Sequence, residues 1–162
     1  MQSTEVSVVC QRSPMRALVC GMKTPLEVAI EQFAADEHGR RAIFVVDEDG
    51  RLRGVVNNHD LLHWARLRLD VPHKDVKLPI GKLRRLMSAE TILDLAVPGS
   101  EKTAVPLNET LANTINQMAL YNLEDIPVLD ENGRVVNDLR LSEILSFVLN
   151  PAPETSSLDS HR

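Results

Sequence analysis

Aromatic residues and basic runs are scarce in this sequence. Only 3% of its 162 residues are aromatic while 43% are hydrophobic, so we predict a core of Val, Leu, Ile and Ala. Stacking platforms for nucleic-acid bases are correspondingly few. A net charge of −5 without a long basic run also argues against general nucleic-acid binding. We therefore expect no nucleic-acid partner.

Long apolar runs and cysteine motifs are lacking as well. No apolar stretch approaches the ~20 residues of a membrane helix, and no basic segment followed by an apolar one opens the chain. We expect a cytoplasmic protein without membrane insertion. The two cysteines, Cys10 and Cys20, do not form a CxxC pair. Buried, unreactive thiols are expected rather than a redox or metal site.

What the sequence does contain is an internal repeat. The segment AIFVVDEDGRLRGVVNNHDLL at 42–62 returns as DIPVLDENGRVVNDLRLSEIL at 125–145. Asp47 and Asp130, like Gly50 and Gly133, are 83 residues apart. A repeat of this kind predicts two copies of one structural module.

Each copy has the pattern of two strands and a helix. The apolar runs at 43–46 and 126–129 predict strands buried on both faces. A glycine then stands where a tight hairpin needs positive φ, at Gly50 and Gly133. Return strands are predicted at 52–56 and 135–139, followed by helices at 60–69 and 143–149.

Another helix precedes these strands in each copy. Thr24-Pro25-Leu26-Glu27 combines a capping Thr, an early Pro and a Glu three residues after the cap, so a helix is predicted to start there. In the second copy Asn108 precedes Leu111, 85 residues after Leu26. Short strands or extended arms are expected at 8–10 and 18–20. Each repeat is thus predicted as strand, helix, strand, strand, helix.

The repeats are expected to span 8–69 and 92–149. The intervening 70–91 should be a linker with a helix near 80–87, for which packing on the core is favoured over a role as lid or partner contact. The Pro/Ser-rich tail at 150–162 is expected to be disordered.

The first copy contains the motifs T-P-L-E-x-A, D-E-D-G-R and G-V-V-x-x-x-D-L-L, and the second contains I-P-V-L-D-E-N-G-R. In this paired arrangement they resemble a tandem of CBS (cystathionine-β-synthase-type) domains, the Bateman module. The resemblance covers about Val8 to Leu149. It implies an α/β (α+β) fold of two βαββα repeats packed through their sheets, often paired into a dimeric disc. It also implies a sensor that binds adenosyl ligands in clefts between the repeats and relays their occupancy to another protein.

The same resemblance assigns candidate ligand residues. The family's contacting segment has glycine, two apolar residues, Thr or Ser, two variable residues and Asp. The first copy matches with Gly54, Val55, Asn57 and Asp60, where Asn57 replaces Thr or Ser. An acid in a first helical turn can accept hydrogen bonds from both ribose hydroxyls, the role implied for Asp60. Thr24 matches a position near the phosphates, with a cation from Arg40 or Arg41.

The second copy departs further from this segment. Asn137 stands for the glycine, Arg140 for Thr or Ser and Glu143 for Asp. Arg140 and Glu143 are therefore weaker second-site candidates, and at most one competent cleft is expected. For Asp60 and Glu143 the alternative is ordinary favourable charge at a helix N-terminus.

Catalytic chemistry has one candidate motif. His59 and His63 are spaced as in the zinc-protease helix H-E-x-x-H, with Asp in place of Glu and no evident third ligand. A metal-dependent hydrolase is thus a third hypothesis, behind two solvated histidines. No nucleophile, P-loop or Gly-rich dinucleotide turn is present. We expect no enzyme, no metal and no prosthetic group.

The sequence therefore predicts a regulatory module whose ligand is AMP, ADP, ATP or S-adenosylmethionine and whose regulated partner is unknown. The alternative is a structural or dimerisation module without ligand. A homodimer is expected because apolar residues of the two terminal helices exceed what one small core can cover. These residues are Leu61, Leu62, Trp64, Leu67, Ile144, Leu145, Phe147 and Val148.

Overall fold

The computed structural model describes residues 3–35, 39–69 and 78–151. Residues 70–77 of the predicted linker and all but the first two residues of the predicted tail lie outside these ranges. In chain order the elements are α1 (Val6–Cys10), β1 (Leu18–Gly21), α2 (Leu26–Ala34), β2 (Ala42–Val46), β3 (Leu52–Asn57), α3 (Asn58–Arg68), α4 (Ile80–Ser88), α5 (Ile92–Leu95), a 3₁₀ turn (Ser100–Thr103), β4 (Val105–Pro106), α6 (Leu111–Tyr121), β5 (Asp125–Leu129), β6 (Val135–Arg140) and α7 (Leu141–Leu149). Among the described residues no helix has the length and apolar character needed to cross a bilayer.

The strands form two three-stranded sheets with the same topology, ordered β1-β2-β3 and β4-β5-β6. In each sheet the first pair is parallel and the second antiparallel. Ile43 lies opposite Val56, and Ile126 lies opposite Leu139 at the same offset. The predicted mixed fold of two duplicated repeats is confirmed.

The outer face of each sheet carries the core of its repeat. Ile43 and Val56 are fully buried in the first core, as are Ile126 and Leu139 in the second. Removing such a side chain from water stabilises the fold by about 1.5–3 kcal/mol. The apolar runs predicted as buried strands therefore do form the two cores.

Each core is completed by the short helix that precedes the other repeat. Ile92 and Leu95 of α5 are fully buried in the first core, while Val6 and Val9 of α1 are buried in the second. The prediction of a strand or extended arm at 8–10 was wrong. Val6 and Val9 share one helical face, and their burial outweighs the β preference of valine. Packing thus crosses the boundaries that the sequence predicts for the repeats.

Helix α2 begins one residue later than predicted. Its N-cap is Pro25, and Thr24 makes no capping hydrogen bond with its side chain. The Thr24 carbonyl instead accepts the Ile92 N–H at 3.0 Å, which fastens α5 to the first repeat. In the second repeat Thr110, not Asn108, caps the helix by accepting the Asn113 N–H at 3.2 Å.

Both hairpins have the predicted turn chemistry. Gly50 and Gly133 have φ of 81° and 78°, in the region that favours glycine. The two turns also contact each other, because the Leu52 N–H donates to the Gly133 carbonyl at 3.3 Å. The hairpins therefore join the two repeats at one end of the sheets.

The predicted linking helix is confirmed as α4. Leu86 is buried in the first core. The Arg85 guanidinium donates to the Ala96 carbonyl at 2.9 Å. The helix packs on the core, as the favoured interpretation expected.

Candidate functional site

The inner faces of the two sheets differ in chemistry at equivalent positions. The first sheet presents Ala42, Phe44, Val55 and Asn57. At the 83-residue offset the second presents Asp125, Pro127, Asp138 and Arg140. Two clefts related by the same offset lie beside these faces, the first at Asn57 and the second at Arg140.

The first cleft contains two cavities that share Asn57 and Leu123. The apolar cavity, of about 190 Å³, is lined mainly by Val55, Val97, Pro98 and Tyr121. The polar cavity, of about 290 Å³, is lined by Arg41, Asn58, His59, Glu124 and Asp125. Both repeats contribute to each cavity. The cleft offers one apolar surface and one polar surface to a ligand on either side of Asn57.

Gly54 allows β3 to lie close to the residues that follow α5. A Cβ at this position would lie 2.7 Å from the Ala96 Cβ, so only glycine lets β3 approach the residues after α5 this closely. The next residue, Val55, donates its N–H to the Ser100 hydroxyl at 2.9 Å. Of the predicted positions, Val55 and Asn57 line the first cleft, whereas Gly54 lines neither of its cavities.

Asp60 is engaged within the protein. It forms a capping box with Asn57, in which each side chain accepts the other's N–H at 3.1 Å. Its side chain is only 1% exposed and one oxygen is 4.0 Å from the Lys82 Nζ. Burial raises the pKa of Asp60, while the Asn57 N–H and Lys82 oppose that rise. Asp60 lines neither cavity, and its ribose contact stays a prediction.

Thr24 is not brought to Asn57. It lies between β1 and α2, half-buried, and lines neither cavity of the first cleft. Arg41 does reach the polar cavity, where its Nη1 is 2.9 Å from the Glu124 carboxylate. Arg41 and Glu124 occupy the same position in the two repeats, so this ion pair lies between the two clefts.

A buried cluster of acids around Arg140 lies beside the second cleft. Asp138 stands where the first repeat has Val55, and it accepts the Arg16 N–H at 3.0 Å. Arg140 Nε is 2.9 Å from Glu143 and 3.9 Å from Asp138. A carboxylate therefore occupies the position where the first cleft has an apolar wall. A cavity of about 240 Å³ lies beside it, lined by Arg41, Glu124, Arg140, Leu141, Ser142 and Leu145.

Asp125 joins this acidic group and also lines the first cleft. It is 5% exposed, and its side chain shares a hydrogen bond with Asp138. Burial, and then the neighbouring Asp138, raise the pKa of Asp125 from its ordinary 3.8 to about 9. The raised pKa favours the protonated carboxyl, which can donate the hydrogen bond to Asp138.

Sequence reasoning missed Glu124, Asp125, Tyr121 and the loop at 97–100. The repeat alignment does give a signal for Glu124 and Asp125. At the equivalent positions the first repeat has Arg41, which carries the opposite charge, and Ala42, which carries none. Tyr121 and the loop have no sequence signal, because only the fold brings them to Val55.

His59 and His63 have no third metal ligand grouped with them among the described residues. His59 is exposed on the polar cavity, and His63 is half-buried with its Nδ1 unpartnered. Burial and Lys82 lower the pKa of His63. In the parts of the chain that the structure describes, no three His, Cys, Asp or Glu side chains are grouped for a metal ion.

The two cysteines are free and buried, as predicted. Burial, followed by the charges of Glu143 and Asp138, raises the pKa of Cys10 to about 12. Burial also raises the pKa of Cys20, although Arg40 opposes it. Because the thiolate is the nucleophile, neither thiol is activated for chemistry.

The terminal helices divide into buried and exposed apolar residues. Ile144 and Phe147, predicted to be surface residues, belong to the second core. Leu62, Leu145 and Val148 are 55%, 53% and 46% exposed. Leu62 and Leu145 are equivalent in the two repeats, so matching apolar patches lie on α3 and α7.

Comparisons with known proteins agree with this architecture. The CBS domain family model matches residues 9–66. A CBS domain-containing protein of Dictyostelium discoideum is 28% identical over 138 residues, which cover 83% of this chain and 88% of that protein.

Solved structures extend the match to both repeats. A CBS domain-containing protein from Thermotoga maritima has a TM-score of 0.70 at 22% identity, covering 95% of this chain and 99% of its own. CBSX2 in complex with AMP has a TM-score of 0.65 at 20% identity, with 90% and 96% covered. The CBS domain pair of protein MJ0100, in complex with 5′-methylthioadenosine and S-adenosyl-L-methionine, has 0.64 at 18%, with 90% and 99% covered. The CBS domain family model therefore covers most of the first repeat, and the two repeats together have the fold of a CBS domain pair.

Proposed function

We propose that the first cleft binds an adenosyl compound and that its occupancy regulates a partner protein, so that the chain is a sensor and not an enzyme. One observation carries this proposal: the apolar and polar cavities meet at Asn57, inside the segment by which the chain resembles its family. CBS domain pairs of the same fold bind AMP, 5′-methylthioadenosine and S-adenosylmethionine. Cytoplasmic location and the identity of the partner stay predictions from the sequence.

The cavities match the parts of an adenosyl ligand. The flat base fits the apolar cavity, where Tyr121 offers an aromatic face and Val55 and Pro98 offer apolar contacts. The ribose then lies at Asn57, and the 5′ substituent enters the polar cavity beside Arg41 and Asp125. Ligand sites in proteins commonly combine an apolar lining with a few converging polar groups.

Thermal unfolding tests this proposal. A ligand that binds only the native state adds about 2.7 kcal/mol at a hundredfold excess over its Kd, which raises the Tm of a chain this size by about 5–10 °C. Tyr121→Ala should abolish most of the shift. Leu120→Ala is the matched control, because Leu120 is the neighbouring residue, 76% exposed, and lines neither cavity. If AMP, ADP, ATP, adenosine and S-adenosylmethionine all leave the wild-type curve unmoved, the proposal fails.

The ribose contact of Asp60 needs its own test. Asp60→Asn retains an acceptor for the Asn57 N–H, so it preserves the cap while removing the charge that would bind a diol. We expect adenosine to lose its advantage over 2′-deoxyadenosine in this variant. An unchanged preference for adenosine would assign the ribose to another residue.

The structural alternative is supported by the exposed apolar patches on α3 and α7. A two-fold interface through Leu62, Leu145 and Val148 would bury surface that a monomer leaves in water. We propose a homodimer through these helices. Sedimentation should show a dimer at tens of micromolar protein, and Leu145→Glu should dissociate it. A wild-type monomer under those conditions contradicts the proposal.

A further inference from the structure

We propose that α4 controls ligand binding in the first cleft from outside it, with Lys82 and Arg85 as positioning residues that connect the helix to two walls of the cleft, one at Asn57 and one at residues 97–100. This inference rests on the proposed function, since it concerns the regulation of the same cleft. Neither Lys82 nor Arg85 lines a cavity of that cleft. Any effect that they have on a ligand must therefore pass through other residues.

Lys82 connects α4 to the wall that contains Asn57. The two carboxylate oxygens of Asp60 have different partners, because Oδ2 accepts the Asn57 N–H at 3.1 Å and Oδ1 lies 4.0 Å from the Lys82 Nζ. The Asn57 side chain in turn accepts the Asp60 N–H, and Asn57 lines both cavities. Asp60 thus joins α4 to the residue at which the apolar and polar cavities meet.

Arg85, three residues after Lys82, connects α4 to the second wall. Its Nη1 donates to the Ala96 carbonyl at 2.9 Å. The residues that follow Ala96, at 97–100, line the apolar cavity together with Asn57. Displacement of α4 would therefore release both the loop at 97–100 and the cap at Asn57.

The charges of α4 also act on Asp60. Asp60 is buried and the Lys82 side chain is 26% exposed, so salt screens this pair less than an ion pair in solvent. Burial raises the pKa of Asp60, while the Asn57 N–H, Lys82 and Arg85 oppose that rise. Both cations of α4 therefore favour the carboxylate that accepts the Asn57 N–H.

The packing of α4 lets it open locally. Of its nine residues only Leu86 is buried, and its N-cap is Pro79, which makes no capping hydrogen bond with its side chain. Ile80 and Met87 are each 69% exposed. Elements with few buried apolar contacts open at a low cost in free energy. The contacts of Lys82 and Arg85 are therefore needed to hold α4 against the first repeat.

Docking of α4 and occupancy of the cleft should stabilise each other. A ligand bound between Asn57 and the loop at 97–100 holds both walls in the positions that α4 contacts. By thermodynamic linkage, if the ligand favours the docked helix, the docked helix favours the ligand by the same factor. Occupancy is thereby transmitted to α4, and a variant that loosens α4 should weaken the ligand.

Calorimetric titration of the whole chain with AMP, ADP, ATP, adenosine and S-adenosylmethionine tests the inference. Lys82→Met retains an unbranched apolar side chain but loses the charge, and we expect it to weaken each ligand that binds the wild-type chain about fivefold. Arg85→Met should have the same effect. Lys82→Arg keeps a cation near Asp60 and should retain wild-type affinity. The control Arg84→Met removes an equal charge from an exposed residue of the same helix, and binding should not change.

Hydrogen exchange gives a readout that a purely structural role of Lys82 would not move. In the wild-type chain a saturating ligand should slow the exchange of backbone amides at residues 83–88, as measured by mass spectrometry. In Lys82→Met the slowing should be smaller. A helix that is destabilised but not coupled to the cleft would instead exchange faster by the same factor with and without ligand.

The outcomes separate this inference from the proposal beneath it. If a ligand binds the wild-type chain and neither Lys82→Met nor Arg85→Met weakens it, α4 does not control the cleft, while the adenosyl site stands. An equal loss of affinity in Arg84→Met, or wild-type exchange at 83–88 that the ligand leaves unchanged, also overturns the inference. If none of the five ligands binds at millimolar concentration, the proposed function fails and this inference fails with it.

Discussion

The two repeats share a fold but differ at the inner faces of their sheets. The first presents Ala42, Phe44 and Val55, and its cleft ends at Asn57, which caps α3. The second has acids at two of the equivalent positions and Arg140 in place of Asn57. The outer faces are apolar in both repeats because each covers a hydrophobic core. The inner faces differ, because the first borders the cleft for which we propose a ligand and the second holds a buried ion cluster.

Arg140→Ala should have the largest effect on stability. The variant leaves Glu143 and Asp138 buried without their cation, and breaking a buried ion cluster in this way costs about 3–5 kcal/mol. Urea unfolding at pH 7 measures the loss. If the cost is below about 1 kcal/mol, the second cleft is not held by its ion cluster.

Gly54→Val tests the close approach in the first repeat. Its side chain would meet Ala96 and Leu93 at distances that the packed core cannot accept, and overpacking costs about 1–3 kcal/mol. Gly81→Ala is the control, because α4 leaves open space around that Cβ and alanine favours a helix. Thermal unfolding should show the first variant destabilised and the second slightly stabilised. Equal stability of Gly54→Val and wild type would contradict the packing.

The raised pKa of Asp125, in the second repeat, makes the stability of the fold depend on pH. Its pKa is raised to about 9 in the folded chain and is 3.8 ordinarily, so between these values the folded state holds a proton that the unfolded state has lost. Its contribution to stability is fully present below pH 3.8 and is lost as pH rises towards 9, by at most about 1.4 kcal/mol per pH unit.

Asp125→Asn isolates this contribution. The amide has no titration, so the variant should lose less stability than wild type between pH 5 and about pH 9, as measured by urea unfolding across that range. Parallel pH profiles for the two proteins would show that Asp125 does not hold its proton in the folded chain.

Asn57→Ala should have the smallest of these effects. It removes the side-chain acceptor of the capping box, which costs about 1 kcal/mol. The equivalent Arg140 makes no capping hydrogen bond to α7, so its loss acts through the ion cluster instead. Unfolding of both alanine variants in parallel should give the larger loss for Arg140. The reverse order would mean that the two positions do not have the distinct roles assigned to them.

The sequence predicted the repeated elements because each has a local signal. Gly50 and Gly133 mark the hairpins, and the apolar runs around Ile43 and Ile126 mark the buried strands. It failed at Val6–Cys10, because the burial that makes this segment helical comes from the other repeat. The prediction of a cap at Thr24 failed for the same reason, because the Thr24 carbonyl accepts a hydrogen bond from Ile92, which is distant in the sequence.

The candidate site was predicted only where it is continuous in sequence. Val55 and Asn57, which line the first cleft, are near neighbours in the sequence. Tyr121, Glu124 and Asp125 come from the second repeat, and their approach to Asn57 depends on how the sheets pack. The burial of Asp60 beside Lys82 was also invisible, because α4 reaches it only through the tertiary fold.

Ligand stoichiometry tests the division between the repeats most directly. Native mass spectrometry of the chain saturated with S-adenosylmethionine, and separately with adenosine, should show one ligand per chain in any oligomer. Asn57→Arg, which gives the first cleft the residue of the second, should show none while keeping its circular dichroism spectrum. Two ligands per chain, or one ligand that Asn57→Arg retains, would contradict the assignment of the ligand site to the first cleft alone.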